Sequence, residues 1–154
     1  MSVSEELHQE PGTISYLEGD LTSDVHEFLI DTLQVNYEAK INGEVKQWTF
    51  VAKNGVRIIG AITVSWVKEN GSIMTMAVEA DFRGQGIGKM LLDLAEEHLY
   101  KVGCKRVTVS TMDFEAPEFY IKHGYKEIGR IKDYHPGYDY IWLRCEFMDL
   151  PQSA

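Results

Sequence analysis

Ala80–Asp81–Phe82–Arg83–Gly84–Gln85–Gly86–Ile87–Gly88–Lys89 joins an apolar run, Ile73 to Val78, to the strongest helical pattern in the chain, Ile87 to Val102. Glycines stand at alternate positions 84, 86 and 88. Glycine reaches positive φ and lets a ligand approach the backbone. A helix N-terminus adds unpaired N–H groups and a partial positive charge. Together they make a seat for a phosphate or pyrophosphate.

Outward from that junction the chain reads as alternating short elements. Upstream, Gln47–Ala52 is a strand, Asn54–Gly55 a hairpin turn, and Val56–Val67 a return strand. The return strand carries Ile58, Ile62, Val64 and Trp66 on one face and Ile59, Ala61 and Val67 on the other, so an interior position is expected. Asn70–Gly71 turns it into Ser72–Val78, completing an antiparallel meander. Downstream, the helix Ile87–Val102 is expected to bury Ile87, Met90, Leu91, Leu94, Ala95, Leu99 and Val102, with Glu97–Lys101 as an i,i+4 pair and Gly103 as its C′ residue. Arg106–Ser110 follows as a strand, then a short helix opened by Ala116–Pro117 and closed by Gly124. Strands Glu127–Ile131 and Tyr138–Phe147 flank the turn Tyr134–His135–Pro136–Gly137. At the N-terminal end, residues 1–11 read as loosely ordered and Thr13–Leu17 as a strand. Thr22–Ser23–Asp24 offers caps for a helix carrying Val25, Phe28, Leu29 and Leu33, and Val35–Lys40 reads as a further helical turn or a loop. The crossover from the strand ending at Val78 to Arg106–Ser110 requires those strands to be parallel if adjacent; the other pairs are antiparallel. The fold class is therefore α/β with a mixed sheet.

The 154 residues suit a single domain spanning 1–154. The net charge of −9 opposes broad contact with nucleic acid and is compatible with a cationic or amine-bearing partner. No apolar run approaches the ~20 residues a bilayer span needs, and Met1–Glu6 is acidic and lacks an apolar signal core, so a soluble cytoplasmic protein without membrane contact is expected. Cys104 and Cys145 are far apart and read as reduced structural thiols. No Cys/His cluster has zinc-site spacing, and no metal is expected.

The glycine stretch allows three readings. A structural turn is one, since a lone glycine-rich loop is weak evidence. A nucleotide loop is the second. A Walker loop fails because Met90 follows Gly88–Lys89 where a hydroxyl is needed, and a dinucleotide loop fails because Gly88 comes one residue too soon and the loop follows an antiparallel meander. The third is an acyl-CoA site. Arg83-x-x-Gly86-x-Gly88 after Met76–Ala77–Val78 resembles motif A of the GNAT superfamily of N-acetyltransferases. Glu115–Ala116–Pro117–Glu118–Phe119–Tyr120–Ile121–Lys122–His123–Gly124–Tyr125 is similar to the family's motif B. The resemblance covers residues 13–147 in architecture and 73–131 in motif detail.

That resemblance implies the GNAT fold, a mostly antiparallel sheet with one parallel, splayed strand pair. It implies acetyl-CoA as co-substrate, bound in the gap where the strand ending at Val78 parts from Arg106–Ser110. The acetyl group would pass by direct attack to a primary amine, on a small molecule or a protein. The backbone of Arg83, Gly84, Gln85, Gly86, Ile87 and Gly88 would hold the pyrophosphate, with the Arg83 side chain adding charge or facing solvent. Met76, Ala77 and Val78 would pair with the pantetheine arm, the Val78 N–H pointing at the thioester carbonyl. Tyr120 matches the tyrosine that protonates the departing sulfur; a phenol with an ordinary pKa near ~10 is able to donate at neutral pH. Two positions depart from the pattern. Asp113 stands where an Asn often contacts pantetheine; it accepts a hydrogen bond or caps the helix but offers no amide N–H. Val107–Thr108–Val109 lacks the acid some members use as base. Glu79 is the nearest carboxylate in sequence to the reaction centre and is the candidate base, a solvated loop carboxylate being the alternative. His98 and His123 read as structural, while Tyr134, His135 and Tyr138 fall in a loop that lies by the acceptor in this fold. A homodimer is compatible with the family. The rival reading is an acyl-CoA-binding sensor or partner module without turnover.

Overall fold

The computed structural model describes residues 23–41 and 44–149, so the expected strand at Thr13–Leu17 and the segment 1–11 lie outside the described residues. The described residues fall into two units, one within residues 1–42 and the other within 43–154. The first contains helix α1, Ser23–Ile41, which runs without a break through Val35–Lys40. Asp24 in its first turn and Lys40 in its last complement the helix dipole. No helix among the described residues is long and apolar enough to cross a membrane.

The second unit is built on a six-stranded sheet. Its strands are β1 Lys46–Asn54, β2 Arg57–Val67, β3 Asn70–Val78, β4 Arg106–Met112, β5 Lys126–His135 and β6 Tyr138–Glu146, in the spatial order β1-β2-β3-β4-β6-β5. Helix α2, Ile87–Lys101, links β3 to β4, and helix α3, Pro117–Lys122, links β4 to β5. β3 and β4 are parallel, as the crossover requires, and the other neighbours are antiparallel. The parallel pairing is short: it runs from Asn70↔Arg106 to Ile73↔Val109 and stops there, although both strands continue. The mixed sheet with one splayed pair is therefore present, and β2 is interior, between β1 and β3.

Two local expectations need correction. Ile58 was expected to share a face with Ile62 and Val64. However, Ala52 pairs with Gly60 and Lys53 with Ile58, which leaves Ile59 as the extra residue of a bulge. The bulge reverses the alternation, so Ile59 is buried and Ile58 is 55% exposed. In α2 the buried residues are Leu91, Leu92, Ala95 and Leu99, while Met90 and Leu94 are about half exposed. The apolar stripe is rotated toward Leu92 because α2 lies against β1, β2 and β3, and the sheet selects which flank of an ambiguous stripe is covered. The helix ends as its sequence says. Gly103 at φ +94 is the C′ residue, the Cys104 N–H donates to Leu99 O and the Gly103 N–H to Tyr100 O, which is the Schellman pattern. Glu97–Lys101 is paired at 2.6 Å. The core joins Leu91, Leu92 and Leu99 to Ile62, Val64, Val107, Ile141 and Leu143, with Cys104 and Cys145 buried in it and neither in a disulfide.

The rotation of α2 is testable. Leu92→Ala should cost about 2–5 kcal/mol of unfolding free energy, as a fully buried leucine does. Leu94→Ala should cost less than about 1 kcal/mol. Urea denaturation of the two variants checks the order.

Candidate functional site

The splay of β3 from β4 creates the site. β3 shifts register against β2 between Thr63 and Val64 but stays paired to the end of the strand, with Gly60 opposite Val78, and the Glu79 N–H continues the ladder to Ile59 O at 2.8 Å. In an antiparallel ladder successive residues turn their polar groups alternately to one side and the other. Ala77 and Glu79 therefore face β2, and Met76 and Val78 turn their N–H and C=O groups into the gap. Of the three residues expected to pair with a ligand, Ala77 has its backbone committed to β2.

After Glu79 a single 3-10 turn, Ala80–Phe82, redirects the chain. Gly84 and Gly86 follow at φ +74 and +82, with Gly86 as the N-cap of α2. A side chain at either would be strained by the backbone alone, and a Cβ there would meet nothing within 4 Å, so the space beside the loop is open. Gly88 serves a different purpose. A Cβ on it would come within 3.1 Å of Met76 Cε and 3.4 Å of a Phe119 ring carbon, so its lack of a side chain permits close packing of α2 on β3 and α3. The helical ladder starts with the Met90 N–H donating to Gly86 O, which leaves the N–H groups of Ile87, Gly88 and Lys89 at the helix mouth without an intrahelical acceptor. Gln85 donates from its amide to Asp81 O at 3.3 Å. The Arg83 side chain is exposed, and its Nε donates to Val78 O at 2.9 Å.

Tyr120 comes to this gap from α3. It is buried, 7% exposed, with its ring between those of Phe119 and Tyr125, and its hydroxyl lies 3.9 Å from Met76 Sδ. Burial, helped by the charge of Glu115, pushes its pKa up to about 12. The phenol is thus neutral and a donor throughout the ordinary pH range. The fold brings Tyr120, Met76, Val78 and the glycine loop together.

Asp113 sits just past β4, on the other lip of the splay. It does not cap α3, whose N-cap Ala116 has no side-chain bond. Instead its Oδ2 accepts the Asp139 N–H at 3.1 Å, and its Oδ1 is buried with no hydrogen-bond partner among the described residues. Glu79 is held in a fork by Arg57, with Nη2–Oε2 at 2.5 Å and Nε–Oε1 at 3.3 Å. Both oxygens are thus engaged by one guanidinium. The β5–β6 hairpin is docked at the same end of the sheet. The Asp113 N–H donates to Asp139 O, Tyr138 packs edge-on against Phe114, and Tyr134 stacks on Tyr140. Arg130 bridges Glu127 and Asp139, which lowers both carboxyl pKa values. His135 belongs to β5 and touches Tyr134. His98 lies against Trp48 and Phe50, and His123 Nδ1 is 2.6 Å from Phe119 O, so both are built into the packing.

Two participants had no sequence signal. Arg57 carries no motif, and Glu96 lies outside the expected buried stripe of α2. Glu96 Oε1 accepts the Tyr125 hydroxyl at 2.7 Å, and Tyr125 in turn supports Tyr120. Burial raises the Glu96 pKa, partly offset by the Tyr125 hydrogen bond. An acid whose folded pKa is raised holds its proton longer in the folded state, so stability falls as pH rises from the ordinary carboxylate range through the raised value. Glu96→Gln, which keeps an acceptor for Tyr125, should therefore gain stability relative to wild type at pH 8 and lose that advantage at pH 4. Urea unfolding at the two pH values checks the sign.

Comparison with known proteins accords with this geometry. Residues 46–127 match the family model described as an acetyltransferase (GNAT) domain. A blasticidin-S acetyltransferase of Streptomyces morookaense is 35% identical over 81 residues, 52% of this chain and 57% of the relative. An acetyltransferase of Agrobacterium fabrum is 33% identical over 75 residues, 49% of this chain and 55% of the relative. The chain thus spans little more than half the length of the curated relatives it matches. Among solved structures, an acetyltransferase from Bacillus cereus superposes with a TM-score of 0.74 at 24% identity, over 86% of this chain and 97% of that one. A GNAT family acetyltransferase from Elizabethkingia anophelis with acetyl-CoA bound gives 0.55 at 24% identity, over 78% and 82%. With more than half of its residues inside the matching domain model and the splayed mixed sheet in place, the chain belongs to the GNAT acetyltransferase family.

Proposed function

We propose that this protein moves the acetyl group of acetyl-CoA to a primary amine by direct attack in a ternary complex, with Tyr120 protonating the CoA sulfur. The observation that carries the reading is the Tyr120 hydroxyl 3.9 Å from the side-chain sulfur of Met76, a residue on the stretch of β3 that β4 has left unpaired. The GNAT neighbour that holds acetyl-CoA supports the choice of donor.

The pyrophosphate would sit on the N–H groups of Ile87, Gly88 and Lys89, in the space left open by Gly84 and Gly86. The pantetheine arm would lie along β3 and pair with Met76 and Val78. The thioester carbonyl would accept a hydrogen bond from a gap-facing N–H, where negative charge develops. The position of Tyr120 favours Met76 over Val78 as that donor. The lone pair of the neutral amine attacks the carbonyl carbon, the C–S bond breaks, and the thiolate takes the phenolic proton; the product nitrogen gives its extra proton to water, and the Tyr120 phenolate regains one from water. Asp113 Oδ1, buried without a partner, would accept an N–H from the bound ligand. Glu79, engaged by Arg57, would fasten the end of β3. The acceptor would be a small amine or a protein amino group entering by the β5–β6 hairpin, where Tyr134, His135 and Tyr138 lie. The net charge of −9 favours a cationic acceptor. A relative named for blasticidin-S supports a small molecule.

Tyr120→Phe should lower kcat about 100-fold or more while leaving the Kd for acetyl-CoA within about twofold. With Tyr120 titrating only near pH 12, wild-type kcat should stay flat on the alkaline side up to about pH 10. Thiol release from acetyl-CoA over an amine panel measures both. Acetyl-CoA binding without turnover on any amine would favour the non-catalytic module. Glu79→Gln should change kcat less than about threefold; a fall of 100-fold would make it the base after all.

A further inference from the structure

Arg83 opens motif A, and a cation beside a pyrophosphate seat is naturally assigned to the phosphates. Its actual contact is elsewhere. The side chain turns back from the glycine loop, and Nε donates to Val78 O at 2.9 Å. That carbonyl faces the gap, past the last β3–β4 pair at Ile73↔Val109, where no strand is available to bond it. We infer that Arg83 acts on a bound donor through Val78 and not through the pyrophosphate: it is a positioning residue that caps a gap-facing carbonyl and so fixes the register in which pantetheine pairs with β3.

Each strand residue offers one N–H and one C=O. Between them, Met76 and Val78 present two of each to the gap. With one lone pair of Val78 O taken by the Arg83 guanidinium, Met76 O is the carbonyl on this part of the edge with its full acceptor capacity for an amide N–H of the ligand, while both N–H groups stay available. A slip by one gap-facing position would displace the ligand by about 6.6 Å, two strand residues, and carry the thioester away from the Tyr120 hydroxyl beside Met76. The peptide following Val78 is held from the other side as well, since the Glu79 N–H donates to Ile59 O and the Glu79 side chain is forked by Arg57. The phosphate seat draws its donors from Ile87 to Lys89 and does not require the guanidinium.

The inference rests on the acetyl-CoA reading, and calorimetry with two probes tests them separately. One probe is acetyl-CoA; the other is 3′-phospho-ADP, which carries the pyrophosphate without the pantetheine arm. Arg83→Leu, which frees Val78 O and lets the arm pair in more than one register, should weaken acetyl-CoA about tenfold and leave 3′-phospho-ADP within about twofold. Arg83→Gln, a neutral donor, should recover most of the acetyl-CoA affinity. Equal weakening of both probes, with no recovery in the Gln variant, would make Arg83 a phosphate ligand and overturn the inference. Unchanged acetyl-CoA affinity in Arg83→Leu would overturn it too. Wild-type protein that binds 3′-phospho-ADP but gains nothing from the acetylated arm would overturn both the inference and the donor reading. Wild-type protein that gains affinity from the arm, with variants behaving alike, would overturn the inference alone. Arg83 is exposed, so both variants should melt within a few degrees of wild type.

Discussion

β3 is bonded to β2 along its length and to β4 along only its first half. The divergence leaves backbone groups of Met76 and Val78 facing a cleft, and such groups must find partners. The remainder of the second unit provides for them or borders them. Arg83 caps one carbonyl, Tyr120 brings a hydroxyl to the level of Met76, and Asp113 closes the opposite lip through its bonds to Asp139. Main-chain polarity left over by imperfect strand pairing is the material from which this site is made.

The three glycines illustrate how one residue type answers two different constraints. Gly84 and Gly86 have positive φ, and the space where their side chains would be is empty. Gly88 has an ordinary helical backbone, and its missing side chain allows Met76 and Phe119 to approach. The first two shape the helix mouth, and the third lets α2 lie close enough to β3 for that mouth to open beside the gap.

Charge at the site is managed by pairing. Arg57 engages Glu79, and Arg130 spans Glu127 and Asp139. These pairs are exposed to water and worth little as stability. Their use is geometric: one steadies the end of β3 and the other the hairpin that borders the cleft. Beneath them the Glu96–Tyr125 hydrogen bond holds the ring against which Tyr120 packs.

The sequence by itself determined whatever depends on neighbours a few residues apart. The hairpin turns, the glycine loop and helix α2 with its Gly103 stop were legible, because turn chemistry, helix period and capping act over short separations. It did not determine which flank of α2 is buried, since stripes through Leu92 and through Leu94 both fit the helical period and only contact with the sheet selects one. It placed Ile58 on the wrong face because a bulge is a property of two strands. The Arg57–Glu79 pair was not legible because the two residues lie 22 positions apart, nor was the Arg83–Val78 hydrogen bond, because its direction depends on where β3 ends. The meeting of Tyr120 with Met76, 44 residues apart, was implied by family likeness and by nothing in the local pattern. The tertiary structure decided these features because each requires two segments, distant in the chain, to be held against one core.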